Sequence, residues 1–228
     1  MNRIATLARV DVLLAWRRGV IGAAAAVVVI YVILLRVATE TVAEALLPYL
    51  VFSDPAALGF FFVGGIVLAD RAEGVAAAVA TSPVEPWEVV MGRVGVLSAV
   101  GSAGGLAVGL GSGLDVEWLT FVPTVILTAV LYTCFGYAVA LRAGSVNEYF
   151  ARATAWSIPL FAPLVAFALN PDWWVLTLWP TTASLLLLRG GTGPGRSLLA
   201  LGVLAIAALV VGRWAISELE AARREGRS

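Results

Sequence analysis

The chain has 228 residues, a mean hydropathy of +0.94 and 13% charged residues, where soluble domains run near about 25%. The fifteen basic and fifteen acidic residues cancel, so net charge gives no footprint for nucleic acid. All fifteen basic residues are Arg; there is no Lys, no His and one Cys. Without Lys there is no P-loop for ATP. Without His there is no Ser-His-Asp triad and no His-Glu-x-x-His zinc site. Cys134 has no partner for an internal disulfide and reads as a small core residue. The apolar excess is more than one soluble core buries, so the class is an all-α polytopic membrane protein.

Met1 to Arg18 mixes Arg3, Arg9, Asp11, Arg17 and Arg18 with Ile4, Leu7, Leu14 and Trp16. Ile4, Leu7 and Leu14 share a helical face, which Asp11 and Arg18 interrupt. The segment reads as an interfacial helix, with Trp16 at the interface and the arginines toward phosphate groups. Val20 to Leu35 is an uncleaved first span, because no small-residue cleavage site follows it. Ala45 to Ala69 is the second span. It holds Asp54-Pro55 in its outer part and Gly59, Gly64 and Gly65 further in.

Asp70 to Arg93 carries six charges between apolar runs and must lie outside the hydrocarbon. Ala72 to Ala80 favours a helix, Pro83 and Pro86 interrupt it, and Pro86 restarts one with Glu88 in its first turn. Val94 to Leu114 is the third span, with Gly101, Gly105, Gly109 and Gly113 in a row along one face. Leu119 to Leu141 is the fourth. Ser145 and Glu148 fit a capping box before the fifth span, Tyr149 to Leu169, where Pro159 and Pro163 are expected kink sites. Trp173 to Leu188 is too short and aromatic for a span and reads as re-entrant or interfacial. Leu198 to Ile216 is the sixth span, and residues 217–228 form a charged tail.

Six spans place both termini on one side. With the termini inside, twelve arginines are inner and three, Arg36, Arg189 and Arg196, are outer. This positive-inside bias makes both termini and the loop 70–93 cytoplasmic, in a multi-pass cell-membrane protein.

The order of parts resembles the membrane subunit of an ABC-2 type exporter, most closely the fluoroquinolone-export permease group. The resemblance rests on Leu13-Leu14-Ala15-Trp16-Arg17-Arg18-Gly19, Asp70-Arg71-Ala72-Glu73-Gly74 and Thr81-Ser82-Pro83. It extends to Ser145-Val146-Asn147-Glu148 and to Trp179-Pro180-Thr181-Thr182 through Leu188-Arg189-Gly190. It implies a single transmembrane domain over 1–228, with a coupling helix after span two that docks on a separate ATPase subunit. ATP and magnesium would be held by that subunit, and a second permease copy, identical or a paralogue, would complete the pore. The chain itself would have no cofactor, no metal and no catalytic residue. Asp70, Arg71, Glu73, Ala76, Ala77, Val79 and Ala80 are then the expected ATPase-coupling residues, and a hydrophobic or drug-like molecule is the implied substrate.

Asp54, an ionisable residue within a span, is a substrate-path candidate, with Phe60 and Phe61 beside it. Outer-interface hydration of Asp54 and lipid-facing packing of the phenylalanines are the plainer readings. The glycine row serves helix packing or, alternatively, sliding. A lipid- or haem-exporting permease stays open, as does a membrane enzyme or structural protein using intramembrane carboxylates.

Overall fold

The computed structural model describes residues 3–74 and 84–224, and at 3–7 and 54–58 the backbone path. Helix α1 (Arg3–Arg17) turns into α2 (Val20–Val37) through Gly19, whose φ of 74° lies where a Cβ is strained. Next come α3 (Glu40–Ala57), a π turn (Leu58–Phe62) and α4 (Val63–Ala72). The chain continues through α5 (Pro86–Ser112), α6 (Trp118–Leu141), α7 (Val146–Phe161) and α8 (Pro163–Leu169). A 3₁₀ turn (Trp174–Leu178), α9 (Pro180–Arg189) and α10 (Pro194–Arg224) complete it.

Among the described residues, five segments are long and apolar enough to cross a membrane: 20–37, 86–112, 118–141, 146–169 and 194–224. The chain is therefore an all-α, multi-pass membrane protein. The expected second span takes a different form. Helical residues run unbroken from Glu40 to Ala72, but their hydrogen-bond register changes at the π turn just after Pro55, so no single α-helix covers the span.

The fifth span is divided where Pro163 opens α8, while Pro159 stays inside α7. Pro86 opens α5 at its first position. Glu85 and Glu88 form a reciprocal capping box there, with Glu88 Oε2 accepting from the Glu85 amide at 2.9 Å. The charged tail is no separate segment at its start, since α10 continues to Arg224.

The region after Asn170 dips into the bundle and returns. Its ten-residue α9 is about 15 Å long, half of what a crossing needs. Arg196 Nε donates to Thr177 Oγ1 (2.9 Å), near the start of α10. Trp179 Nε1 and Thr181 Oγ1 donate to the Leu160 carbonyl (3.0 and 2.9 Å), about 21 Å along α7 from Val146. Thr181 to Leu188 are buried, and Trp173, Trp174 and Trp179 remain exposed. This is the re-entrant form of the two geometries expected.

Helix α6 is the hub, with α3, α4, α5, α9 and α10 around it. Its Tyr132 is fully buried, stacked on Phe161 (5.9 Å) and edge-on to Phe52 (5.6 Å). Cys134 is buried and free. Exposed Ile30 and Ile33 on α2 and Ile206 and Leu209 on α10 form an apolar exterior suited to lipid.

Candidate functional site

The charged groups that sequence reading placed outside the hydrocarbon converge at the end of the bundle where the chain termini lie. Asp70, on the last turn of α4, is 2% exposed. Arg18 Nη1 donates to its Oδ1 at 2.9 Å, and Arg93 Nη1 sits 2.5 Å from its Oδ2 without hydrogen-bond alignment. Arg18 also reaches Glu73 (2.8 Å), and Arg93 reaches Asp11 on α1 at 3.5 Å. One buried carboxylate thus joins the α1–α2 corner, α4 and α5. Loss of one partner from such a buried pair costs roughly 3–5 kcal/mol, because the remaining charge is stranded. Asp11, largely desolvated against α5, has its pKa raised, and the nearby Arg93 charge opposes that shift.

Asp11 and Arg18 are seven residues apart and therefore share a helical face. The sequence registers them as interruptions of an apolar stripe. In the structure they turn toward the bundle, while Val10, Leu13 and Trp16 are exposed. Asp11 and Arg18 are thus paired inward, while the outer side of α1 carries apolar side chains together with the exposed Arg9 and Arg17.

Arg71 points another way. Its Nη1 donates to the Ala143 carbonyl (2.6 Å) and its Nη2 to the Leu141 carbonyl (2.7 Å), closing the end of α6. Arg142 binds Glu218 on α10 through Nε (2.7 Å), Glu218 also accepts from Trp214 Nε1 (2.8 Å), and the Arg142 guanidinium stands over the Trp214 ring. Arg223 Nη1 donates to the Val84 carbonyl at 2.9 Å. Both flanks of residues 75–83 are therefore fastened, by Asp70 and Arg71 before them and by Val84, Glu85 and Arg93 after them. The expected coupling residues Ala76, Ala77, Val79 and Ala80 lie outside the described residues. Of the charges expected beside them, Asp70 is held inside the protein, Arg71 on carbonyls, and Glu73 keeps a side chain 55% exposed.

The other expected site residues are spread through the bundle. Asp54 belongs to α3 by its backbone. Phe60 is fully buried against Phe61 and Phe135, and Phe61 is 39% exposed and stacked on Phe150. In the glycine row Gly101 is buried. A Cβ at Gly105 would stand 2.9 Å from Val125, and one at Gly109 would stand 2.8 Å from Phe121, so these two let α5 lie against α6. Gly113 departs from the row: its φ of 76° ends α5 as a C-cap. Ser145 caps α7 by accepting from the Glu148 amide (3.2 Å). Glu148 accepts from the Gly144 amide (2.8 Å), one residue earlier than in the reciprocal box.

A family model for fluoroquinolones export permease proteins matches residues 2–211. The chain belongs to that family. The matched region takes in α1, the whole buried network and the re-entrant α9. The fluoroquinolones export permease proteins of two Mycobacterium tuberculosis strains are each 33% identical to this family member over 146 residues, 62% of its length. It spans 60% of their own length.

Several groups of this family member have roles that no sequence motif announces. Arg18, Arg93 and Asp11 become legible only as charges at the ends or on the wrong face of apolar helices. Tyr149 and Arg223 have no local signal at all: their partners, the Phe60 and Val84 carbonyls, are 89 and 139 residues away.

Proposed function

We propose that this chain is the membrane-spanning permease subunit of an ABC exporter, driven by ATP hydrolysis on a separate subunit. Its cargo in this reading is a hydrophobic or drug-like molecule moved outward. The observation that carries the proposal is the anchoring of residues 70–93. A loop that transmits force must be tied to the spans, or a partner's motion is lost in its bending. Asp70 ties its start to the α1–α2 corner and to α5, Arg71 ties it to α6, and Arg223 ties its end to α10.

Asp70 and Arg71 then act as internal struts. Glu73, with Ala76, Ala77, Val79 and Ala80, forms the surface offered to the ATPase. Small side chains there permit close backbone docking, and the Glu73 charge at the rim sets specificity more than affinity. The arginine distribution orients the terminus end toward the cytoplasm. ATP and magnesium stay on the partner, and a second permease copy completes the pore.

Co-purification tests this. The tagged chain is extracted mildly from native membranes and its companions are identified. A stoichiometric P-loop ATPase is expected, with its stimulation by the chain lost in an Arg71→Ala/Glu73→Ala variant. A homo-oligomer free of any nucleotide-binding partner, under conditions that keep another ABC exporter intact, would overturn the reading.

A further inference from the structure

A side chain from α7 enters the second span at the π turn. Tyr149, 1% exposed, donates its hydroxyl to the Phe60 carbonyl, and the Gly64 amide faces the same hydroxyl. Phe60 and Gly64 are four residues apart, the spacing at which a carbonyl and an amide pair in an uninterrupted α-helix. The phenol thus stands at both members of one rung of the ladder, and a group inserted there splays a helix on that side. Glycines make the room. The Tyr149 ring fills the place of a Cβ at Gly64, and a Cβ at Gly136 on α6 would strike the Gly59 and Phe60 carbonyls. A Cβ at Gly59 would stand 2.7 Å from Thr133 Oγ1, which is buried and finds no hydrogen-bond partner among the described residues. Helix α7 is itself lightly held. Tyr149 and Ala153 are its buried residues, while Phe150, Trp156 and Ile158 are exposed.

We propose that Tyr149 is a conformational wedge with two positions. Seated, as here, it holds α3 and α4 apart at the π turn. Withdrawn with α7, it leaves the Phe60 carbonyl to take the Gly64 amide directly, and the bend between α3 and α4 closes. Thr133 is the spare donor beside the turn for any carbonyl that changes partner. The Phe60 carbonyl is satisfied in both positions, so the two states lie close in polar cost and a modest force selects between them. Helix α4 is the lever. It runs from the π turn to Asp70 and Arg71, about 12–15 Å away, so a bend that changes by about 20° displaces those residues by about 4–5 Å. Movement of loop 70–93 and movement of α7 are therefore one event, joined at a rung of the second span. That an ATPase supplies the force at the loop rests on the exporter reading.

Fluorine resonance reads the wedge directly. The full chain is made with 3-fluorotyrosine at its five tyrosines and placed in lipid nanodiscs, alone and with its co-expressed ATPase, before and after trapping with ATP and vanadate. The Tyr149 resonance is identified by its loss in Tyr149→Phe. In the unaltered chain alone it should be a single line that a lipid-soluble paramagnetic agent leaves sharp. Gly64→Ala places a methyl where the ring sits and should move the signal to a second line that the agent broadens. Ala153→Val, one turn along the same buried face of α7, should move it the same way by a milder push. Gly65→Ala, whose methyl meets nothing within 4 Å, should leave it in place. Trapping should populate the second line in the unaltered chain. One sharp, protected line in the unaltered chain and in both displacing variants overturns the wedge. So does a line that only broadens about its first position, which marks loosening without a second state. A trapped complex with the line unmoved overturns the wedge as the transmitting element and leaves the exporter reading standing. Two lines in the displacing variants of a chain that retains no ATPase support the wedge and count against that reading.

Discussion

Arg71 donates to the Leu141 carbonyl from 2.7 Å, so the last turn of α6 is closed by a side chain from the helix that leads into the loop. The same guanidinium takes the Ala143 carbonyl, a two-pronged grip that a lysine ammonium does not reproduce. Arg71→Ala and Arg71→Lys are both expected to destabilise the chain in detergent, by about 1–3 kcal/mol for the alanine and less for the lysine. In the proposed complex both uncouple ATPase stimulation more than they lower the thermal midpoint. Equal loss of stability and stimulation would reduce Arg71 to a purely structural cap.

The Asp70 network predicts strong non-additivity. Asp70→Asn and Arg93→Gln each strand a buried partner, at a cost of roughly 3–5 kcal/mol. The double variant removes both charges and should cost well under the sum of the two. A double-mutant cycle on thermal unfolding in detergent measures this. A coupling within 0.5 kcal/mol of zero, taking about that as the threshold, would mean that the two residues do not share one site.

The π turn offers a third test. Tyr149, at the start of α7, donates its hydroxyl to the Phe60 carbonyl inside that turn, and its ring occupies the space that a Cβ on Gly64 would need. Tyr149→Phe leaves that buried carbonyl without its donor and should cost about 1–2 kcal/mol. Gly64→Ala pushes a methyl into the ring and should cost about 1–3 kcal/mol. Combining Gly64→Ala with Tyr149→Leu should recover part of the loss, read as a partial return of the thermal midpoint.

The pH response follows from Asp11. Burial raises its pKa above the ordinary 3.8. Between that value and the raised one, the folded chain holds a proton that the unfolded chain has released. Asp11 therefore contributes most to stability below pH 3.8, and its contribution fades as pH rises through the folded-state pKa. Asp11→Asn cannot titrate. The wild-type midpoint relative to Asp11→Asn should fall on going from pH 4 toward neutrality, and a constant difference would contradict the assignment.

Helix positions were legible in the sequence wherever apolar runs were long, and α2, α5, α6 and α10 cover the runs that announced them. The second span was legible as apolar but not as divided, because a π turn follows from packing against Gly136 and Tyr149 rather than from local propensity. Pro163 signalled the α7–α8 break, but Pro159 carries the same signal and stays inside α7, so the ring alone does not decide where the helix divides. That the charged tail continues the helix of the last span to Arg224 was not legible. Glu218 and Arg223 look like solvated charges in sequence, yet Arg142 and the Val84 carbonyl give them partners that keep α10 helical to its end. The charges at the loop were visible one by one. That Asp70 is shared by Arg18 and Arg93 was not, since the three meet only when α1, α4 and α5 pack.

Cys134 has a last, practical consequence. It is the chain's one thiol and is 4% exposed, so a second cysteine placed on the surface would be the reactive one. Spin labels or dyes at Glu44→Cys and Arg189→Cys, both lining a cavity of about 730 Å³, would turn the separation between α3 and α9 into a ruler. The molecule can thus be watched through the proposed transport cycle without first being stripped of its native sulfur.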